Sequence, residues 1–68
     1  MKVFINGEAR DFHGTSLTEL ITQLDLPPAR IAVELNREVV RRSDWDGIML
    51  KDEDRLEIVH FVGGGSEC

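Results

Sequence analysis

The sequence predicts an α+β fold in which one helix packs across a single mixed sheet of about four to five strands. Two short β-forming stretches flank Asn6-Gly7 near the start of the chain. A segment with helical period follows Ser16, and alternating apolar residues return at 31–35 and 56–62. Because only one segment has the helical period, the compact arrangement is one sheet covered by one helix.

The first predicted element is a hairpin with strands at 2–5 and 8–12. Asn6-Gly7 forms the turn between them. Both central residues of a type I′ turn need a positive φ angle, which asparagine and glycine accept more readily than other residues. The chain is therefore expected to begin with two antiparallel strands.

The helix is predicted by a capping signal and by the spacing of apolar residues. Ser16 and Glu19 form a capping box, with Thr15 as the alternative N-cap. The residues that share the predicted apolar face are Leu17, Leu20, Ile21 and Leu24. Pro27-Pro28 prevents the helix from continuing.

The second half of the chain predicts two strands and a corner. Residues 31–35 alternate, and a tight turn at Asn36-Arg37 joins them to a strand at 38–41. In the turn-rich stretch that follows, Ser43 can cap a single helical turn, and Trp45 is expected to anchor the core or a corner. The next three residues, 48–50, supply either a brief strand or a core-filling corner, before a polar turn over the four residues that follow.

The last strand is predicted at 56–62. Leu56 and Ile58 share one face, and Val59 and Phe61 share the other. If the first pair packs under the helix, the second pair lies on the open face of the sheet, where it is a candidate docking patch for a partner protein. The alternative is that this second pair packs under a loop.

The complete order of elements predicts a β-grasp roll at residues 1–62, followed by a flexible tail at 63–68. The tail consists of three glycines and a three-residue extension. Glycine adds no side-chain packing, but a glycine tail is thin enough to enter a narrow channel and to approach a bound nucleotide closely. The alternative is a frayed chain end without a role.

Composition limits the classes of function. A chain of 68 residues leaves little room for a deep cleft, so a carrier or binding protein is expected rather than an enzyme. The net charge of −5 argues against nucleic-acid partners, and so against an RNA-binding β-grasp domain. One cysteine, no apolar run of membrane-spanning length and an early turn signal predict a cytoplasmic protein with no membrane partner.

No metal or cofactor site is predicted in the chain itself. His13, His60 and Cys68 lack the spacing of a zinc site, and the acidic residues 52–54 are expected to form a solvated turn. No glycine-rich phosphate loop precedes a helix, so the chain is not expected to bind ATP.

Four segments carry a resemblance that covers the whole domain: Val3-Phe4-Ile5-Asn6-Gly7, the helix at 17–21, the Asn36 turn, and the run from Asp54 to Gly65. Together they resemble the ThiS family, the ubiquitin-like sulfur carrier proteins of thiamine biosynthesis in the ThiS/MoaD-like superfamily. The last strand joined to the glycines is the most specific of the four. The resemblance implies the same β-grasp fold.

The resemblance also implies a carrier on which partner enzymes act. In that family an E1-like adenylyltransferase (ThiF) uses ATP to adenylate the terminal glycine. A sulfur donor, such as a cysteine desulfurase or a rhodanese-like protein, then converts it to a thiocarboxylate, and thiazole synthase (ThiG) receives the sulfur. Carried onto this sequence, the reactive tail is Gly64 and Gly65. The residues expected to contact the partner are Val59, Phe61, Val62 and Gly63.

The sequence departs from the family pattern after the glycines. Family members normally end at the glycine pair, whereas this chain continues with Ser66-Glu67-Cys68. The carbonyl of Gly65 is then part of an amide, which cannot attack phosphate as a carboxylate does. A processing protease is therefore expected to remove the extension, and the sequence leaves open whether Gly64 or Gly65 becomes the terminus.

Other functions remain compatible with the sequence. The molybdopterin synthase small subunit has the same fold and the same tail chemistry. Cysteine, homocysteine or secondary-metabolite synthesis are further destinations for the sulfur. In the remaining alternative the domain is a plain protein-binding module whose tail has no chemistry.

Overall fold

The structure, a computed structural model, describes residues 1–61, which form a five-stranded mixed sheet with one α-helix across it. The elements are β1 (Lys2–Ile5), β2 (Glu8–Asp11), α1 (Leu17–Gln23), β3 (Ile31–Leu35), β4 (Glu38–Val40) and β5 (Arg55–His60), with 3-10 helices at Pro28–Arg30 and Arg42–Gly47. Val62, the glycines 63–65 and the extension 66–68 lie outside the described residues, as does the predicted domain boundary after residue 62.

The central strand of the sheet is β5, in the order β2-β1-β5-β3-β4. It runs parallel to β1, with Arg55 beside Phe4, and antiparallel to β3, with His60 beside Ile31. The outer strands close two antiparallel hairpins with β1 and β3. The predicted β-grasp arrangement is confirmed, and the strand that leads towards the glycines lies in its middle.

Both predicted tight turns are present, with positive φ angles at their central residues. These angles are 51° at Asn6 and 86° at Gly7 in the first hairpin, and 50° at Asn36 and 75° at Arg37 in the second. Asparagine tolerates this left-handed region better than most residues. The turn residues therefore set the register of both hairpins, which begins with Ile5 opposite Glu8 and Leu35 opposite Glu38.

The predicted capping box begins α1. The Ser16 hydroxyl accepts a hydrogen bond from the Glu19 backbone N–H at 3.1 Å, and the Glu19 carboxylate accepts from the Ser16 backbone N–H at 3.0 Å. The Thr15 backbone N–H and hydroxyl donate to the same carboxylate oxygen, at 2.6 and 3.0 Å. These donors, led by the Ser16 backbone N–H, hold the pKa of Glu19 below its ordinary value.

The apolar face of the helix packs on one face of the sheet. The largest fully buried side chains are Phe12, Leu17, Ile21, Leu56, Val3 and Val33. Trp45 is also buried, and its indole N–H donates to the Val40 carbonyl at 3.3 Å. The expectation that Trp45 anchors the core is confirmed, because its ring joins the 3-10 helix of residues 42–47 to the main cluster.

Three strands differ from the prediction at one or both ends. β2 ends at Asp11, although the N–H of the buried Phe12 still donates to the Met1 carbonyl at 2.8 Å. β4 ends at Val40 rather than at residue 41. β5 begins at Arg55 and ends at His60, although Phe61 still donates from its N–H to the Arg30 carbonyl at 2.7 Å.

The corner between β4 and β5 was predicted less well. The 3-10 helix follows Arg41, and no side chain caps it, so the predicted cap at Ser43 is wrong: this residue lies inside the helix. Residues 48–50 form a corner with a single bridge from Met49 to Ser16, and Leu50 is buried. A further 3-10 helix at Pro28–Arg30 was not predicted.

The polar turn before β5 contains a buried carboxylate that the sequence did not indicate. Asp54 accepts hydrogen bonds from the Lys51 backbone N–H at 2.8 Å and from the Asn36 side-chain amide at 3.0 Å. The turn is therefore not wholly solvated, because it is tied to the second hairpin. None of the helices formed by residues 1–61 is long and apolar enough to cross a lipid bilayer.

Candidate functional site

The face of the sheet opposite the helix is open. Leu56 and Ile58 of β5 are buried under α1, so alternation directs the next side chains, Val59 and Phe61, to the open face. These two side chains are 58% and 55% exposed. The structure thus favours the open-face placement over packing under a loop, and a role in partner binding remains a prediction.

An apolar patch extends from β5 to the neighbouring strand. Ala32 lies directly opposite Val59, and together with Phe61 they form the apolar patch. Val39 of the outer strand, 73% exposed, lies one row further along the face. Alternation in β3 already indicated the direction of Ala32. It could not single out Val39, because the adjacent Val40 is equally apolar.

Below the apolar patch the open face carries two acidic side chains. Glu34 lies directly opposite Glu57 across β3 and β5, and both are exposed. Arg37 and Arg55 line the same shallow pocket as this pair. Within residues 1–61, however, no ion pair at 4.0 Å or less joins either glutamate to a basic group. The acidic pair therefore has no close cationic neighbour in the described part of the chain.

An aromatic ring occupies the far end of the open face. The Arg55 guanidinium lies 4.5 Å from the centre of the Phe4 ring, and the Lys2 ammonium lies 5.3 Å from it. Both distances are within the range of cation–π attraction. Arg55 therefore stacks on the ring instead of turning to the acidic pair, and Phe4 is half-buried beneath the two cations.

Two asparagines of the hairpin turns anchor β5. The Asn6 side chain accepts from the Ile58 N–H at 2.8 Å and donates to the Ile58 carbonyl at 3.2 Å, so its amide continues the pairing of β1 after the chain turns away. On the other side, the Asn36 side chain accepts from the Arg55 N–H at 3.0 Å. β5 is therefore anchored at Arg55 on the β3 side and at Ile58 on the β1 side.

The three glycines of the sequence begin two residues after Phe61. Val62, Gly63, Gly64 and Gly65 lie outside the described residues, so the structure does not test their predicted roles. From Phe61 to Gly65 an extended chain reaches roughly 13 Å at ~3.3 Å per residue. Gly65 can therefore reach points up to roughly 13 Å from Phe61.

The two histidines lie at the surface. His13 contacts Asp11, with 3.1 Å between the ring nitrogen and the carboxylate, and both side chains are exposed. His60 borders a shallow pocket beside Arg10 and Leu24 on the helix side of the sheet. Among residues 1–61, no three His, Cys, Asp or Glu side chains are grouped to hold a metal ion.

Comparison with known proteins places this site in context. The model of the ThiS family matches residues 3–65. The sulfur carrier protein ThiS of Bacillus subtilis is 36% identical over 50 residues, which are 74% of this chain and 76% of that protein. A thiazole synthase of Magnetococcus marinus is 41% identical over 66 residues, or 96% of this chain. The chain spans only 20% of the length of that synthase.

A solved structure agrees with the fold. The crystal structure of the thiamine biosynthesis protein ThiS of Geobacter metallireducens superimposes with a TM-score of 0.80 at 36% sequence identity. The superposition covers 96% of this chain and all of the other. The similarity therefore extends over the sheet, the helix and the open face together.

Proposed function

The chain belongs to the ThiS family of ubiquitin-like sulfur carriers, and we propose that it carries sulfur for the synthesis of the thiamine thiazole on its C-terminal glycine carboxylate. It acts as a protein co-substrate on which partner enzymes operate. The observation that carries this proposal is the extent of the family match, which includes Gly63, Gly64 and Gly65 and stops before Ser66.

The proposed chemistry begins with activation of the glycine carboxylate. A carboxylate oxygen attacks the α-phosphorus of ATP, the bond to pyrophosphate breaks, and an acyl-adenylate forms. A persulfide donor then attacks the acyl carbon and AMP leaves with the electrons of the broken carbon–oxygen bond. A thiol finally cleaves the sulfur–sulfur bond and releases the thiocarboxylate. ATP is bound by the adenylating partner, which is of the ThiF type, and positioning of the two reactants there supplies much of the rate.

This chemistry needs a free carboxylate at the end of the glycines. In the sequence as it stands Ser66 follows Gly65, and the peptide bond between them removes that carboxylate. A protease must therefore remove Ser66-Glu67-Cys68 first, and we propose Gly65 as the working terminus because the family match ends there.

The thiazole synthase is the proposed recipient of the sulfur. The thiazole synthase of Magnetococcus marinus includes a segment that is similar to almost the whole of this chain. A carrier-like segment within the recipient enzyme supports the view that carrier and recipient work together. In this proposal carrier and recipient meet in the cytoplasm, without nucleic acid or membrane.

The open face is the proposed docking surface for the adenylating partner. Val59 and Phe61 are exposed although they are apolar, and they are joined to the anchored end of β5. Exposed apolar side chains of this kind are typical of protein–protein contacts. Docking there leaves Val62 and Gly63 to lead the reactive glycines into the enzyme.

Intact-mass analysis after incubation with the ThiF-type adenylyltransferase of the same organism, ATP and a persulfide donor tests the proposal. The chain ending at Gly65 is expected to gain the mass of AMP and then to exchange one oxygen for sulfur. The chain with Ser66-Glu67-Cys68 and a chain ending at Gly63 are expected to gain neither. Equal adenylation of the chain that keeps the extension would refute the processing step.

A Phe61→Ser variant of the chain ending at Gly65 separates docking from chemistry. Its free energy of unfolding is expected to stay within about 0.5 kcal/mol of the parent, as for most surface substitutions. Its adenylation should need a higher partner concentration. If no version of the chain is adenylated although all bind the partner, the domain is a plain binding module and the carrier proposal is wrong.

A further inference from the structure

Two side chains of like charge face each other in the middle of the open face. Glu34 and Glu57 occupy directly opposite positions on β3 and β5. Directly opposite side chains in an antiparallel pair have their Cβ atoms about 4.5–5.5 Å apart, and like charges in such positions are unfavourable. In the free domain this pair therefore weakens the sheet at its centre.

Nearby basic groups do not offset this repulsion by close pairing. Arg55, two residues before Glu57, stacks on the Phe4 ring. Among the described residues neither glutamate has a basic group within 4.0 Å. The acidic pair is thus exposed, unpaired and available to groups that approach the open face from outside.

The acidic pair forms part of a pattern of three rows across the face. The apolar patch of Ala32, Val59 and Phe61 lies nearest to the tail. The acidic pair forms the next row, as the register of β3 and β5 requires, and the exposed Val39 lies beside Glu34 at the outer end of that row. A basic row follows, formed by Arg37 and Arg55, with Lys2 over the same ring as Arg55. Reading away from the tail, the rows are apolar, acidic and basic.

We propose that these rows fix the orientation in which the adenylating enzyme docks on the carrier. The enzyme's docking face would carry an apolar patch, then basic side chains that insert against Glu34 and Glu57, then acidic side chains opposite the basic row. This inference rests on the proposed function, since it takes the adenylating enzyme as the occupant of the open face. Its new content is the assignment of Glu34 and Glu57 as specificity-determining residues.

Charge complementarity is well suited to this task. An apolar patch alone tolerates rotation of the partner, whereas a rotated partner would bring like charges together at the acidic and basic rows. Complementary charges also steer the encounter and raise the association rate in a salt-dependent way. Basic groups of the correct partner would relieve the repulsion between Glu34 and Glu57. That partner would therefore bind more tightly than partners without such groups.

The test compares two double variants of the chain ending at Gly65 that change net charge equally. Glu34→Gln with Glu57→Gln neutralises the acidic pair. Glu8→Gln with Glu38→Gln is the matched control, because both residues lie on outer strands with their side chains on the helix side, opposite Ile5 and Leu35. Stopped-flow association with the ThiF-type enzyme is measured at low and high salt. Thermal midpoints of both variants verify that they fold.

Neutralising the acidic pair is expected to slow association at low salt by roughly ten-fold, within the range of electrostatic steering, and to flatten the salt dependence. The control should associate like the parent chain, and the variant of the acidic pair should melt no lower than the parent. If both double variants associate at equal rates, the proposed recognition pattern is wrong. The proposed function would still stand in that case, provided that the parent chain is adenylated. If the parent chain neither binds nor is adenylated, the proposed function fails and this inference fails with it.

Discussion

Replacement of Asn6 by glycine would measure how strongly the first turn is tied to the central strand. The Asn6 amide makes two hydrogen bonds to Ile58, at 2.8 and 3.2 Å, across 52 residues of sequence. Glycine adopts the φ angle of 51° at this position without steric strain, so Asn6→Gly removes the amide and leaves the turn in place. The backbone N–H and carbonyl of Ile58 would then lose their hydrogen-bond partners on the β1 side of β5.

The expected loss of stability follows from these contacts. Each of the two hydrogen bonds contributes about 1 kcal/mol, and the added freedom of glycine in the unfolded chain costs roughly 0.5–1 kcal/mol more. The total of about 2.5–3 kcal/mol is large for a chain of 68 residues, whose free energy of unfolding is about 3–10 kcal/mol at the usual value per residue. At ~4–8 °C per kcal/mol, the melting temperature should fall by more than about 10 °C.

Urea denaturation and amide hydrogen exchange would measure this change. Exchange at the Ile58 amide should accelerate, because its acceptor is removed. Asp25→Gly is the matched control: Asp25 is exposed, has a φ angle of 59° and makes no side-chain hydrogen bond within residues 1–61. If Asn6→Gly and Asp25→Gly lose equal stability, or if exchange at Ile58 is unchanged, the amide does not anchor β5 and the reasoning is refuted.

Two further predictions concern the entry to the helix. Gly14→Ala would place a methyl group 2.8 Å from the ring of the buried Phe12. Calorimetry should show that this overpacking lowers the free energy of unfolding by about 1–3 kcal/mol. The control Gly47→Ala should lower it far less, because no atom lies within 4 Å of the added carbon. The pKa of Glu19 is lowered in the folded state, so the unfolded state takes up the proton first as pH falls. The ionised Glu19 therefore stabilises the fold fully above the unfolded pKa of 4.5, and this stabilisation is lost as pH falls through the folded pKa. Urea titrations across this range should show a weaker decline in Glu19→Gln than in the parent, and an equal decline would show that the capping carboxylate contributes nothing.

Local patterns predicted most of the elements because their causes are local. The two hairpin turns depend on residues that accept positive φ angles, and the start of α1 depends on hydrogen bonds between Ser16 and Glu19. The open-face placement of Val59 and Phe61 followed from alternation within one strand. Ser43 misled the prediction because a capping residue type is only useful at the N-cap position, which Arg41 occupies two residues earlier.

Contacts between distant segments were not predictable in the same way. Burial of Asp54 requires the Asn36 amide, which lies 18 residues away, and the acidic pair requires the register between β3 and β5. The sequence around one residue of such a pair does not indicate which distant residue will lie opposite it. The apolar patch was therefore foreseen in part, whereas the rows below it were not.

By itself, the sequence determined the strands, the α-helix with its cap and the hairpin turns, and it predicted a role for the glycine tail. Only the tertiary structure decided that β5 lies in the centre, that asparagines from two separate turns anchor it, and that Glu34 and Glu57 meet across it. The physical reason is that backbone angles and periodicity depend on residues a few positions apart. Strand order and register depend on how all the apolar faces are buried at once.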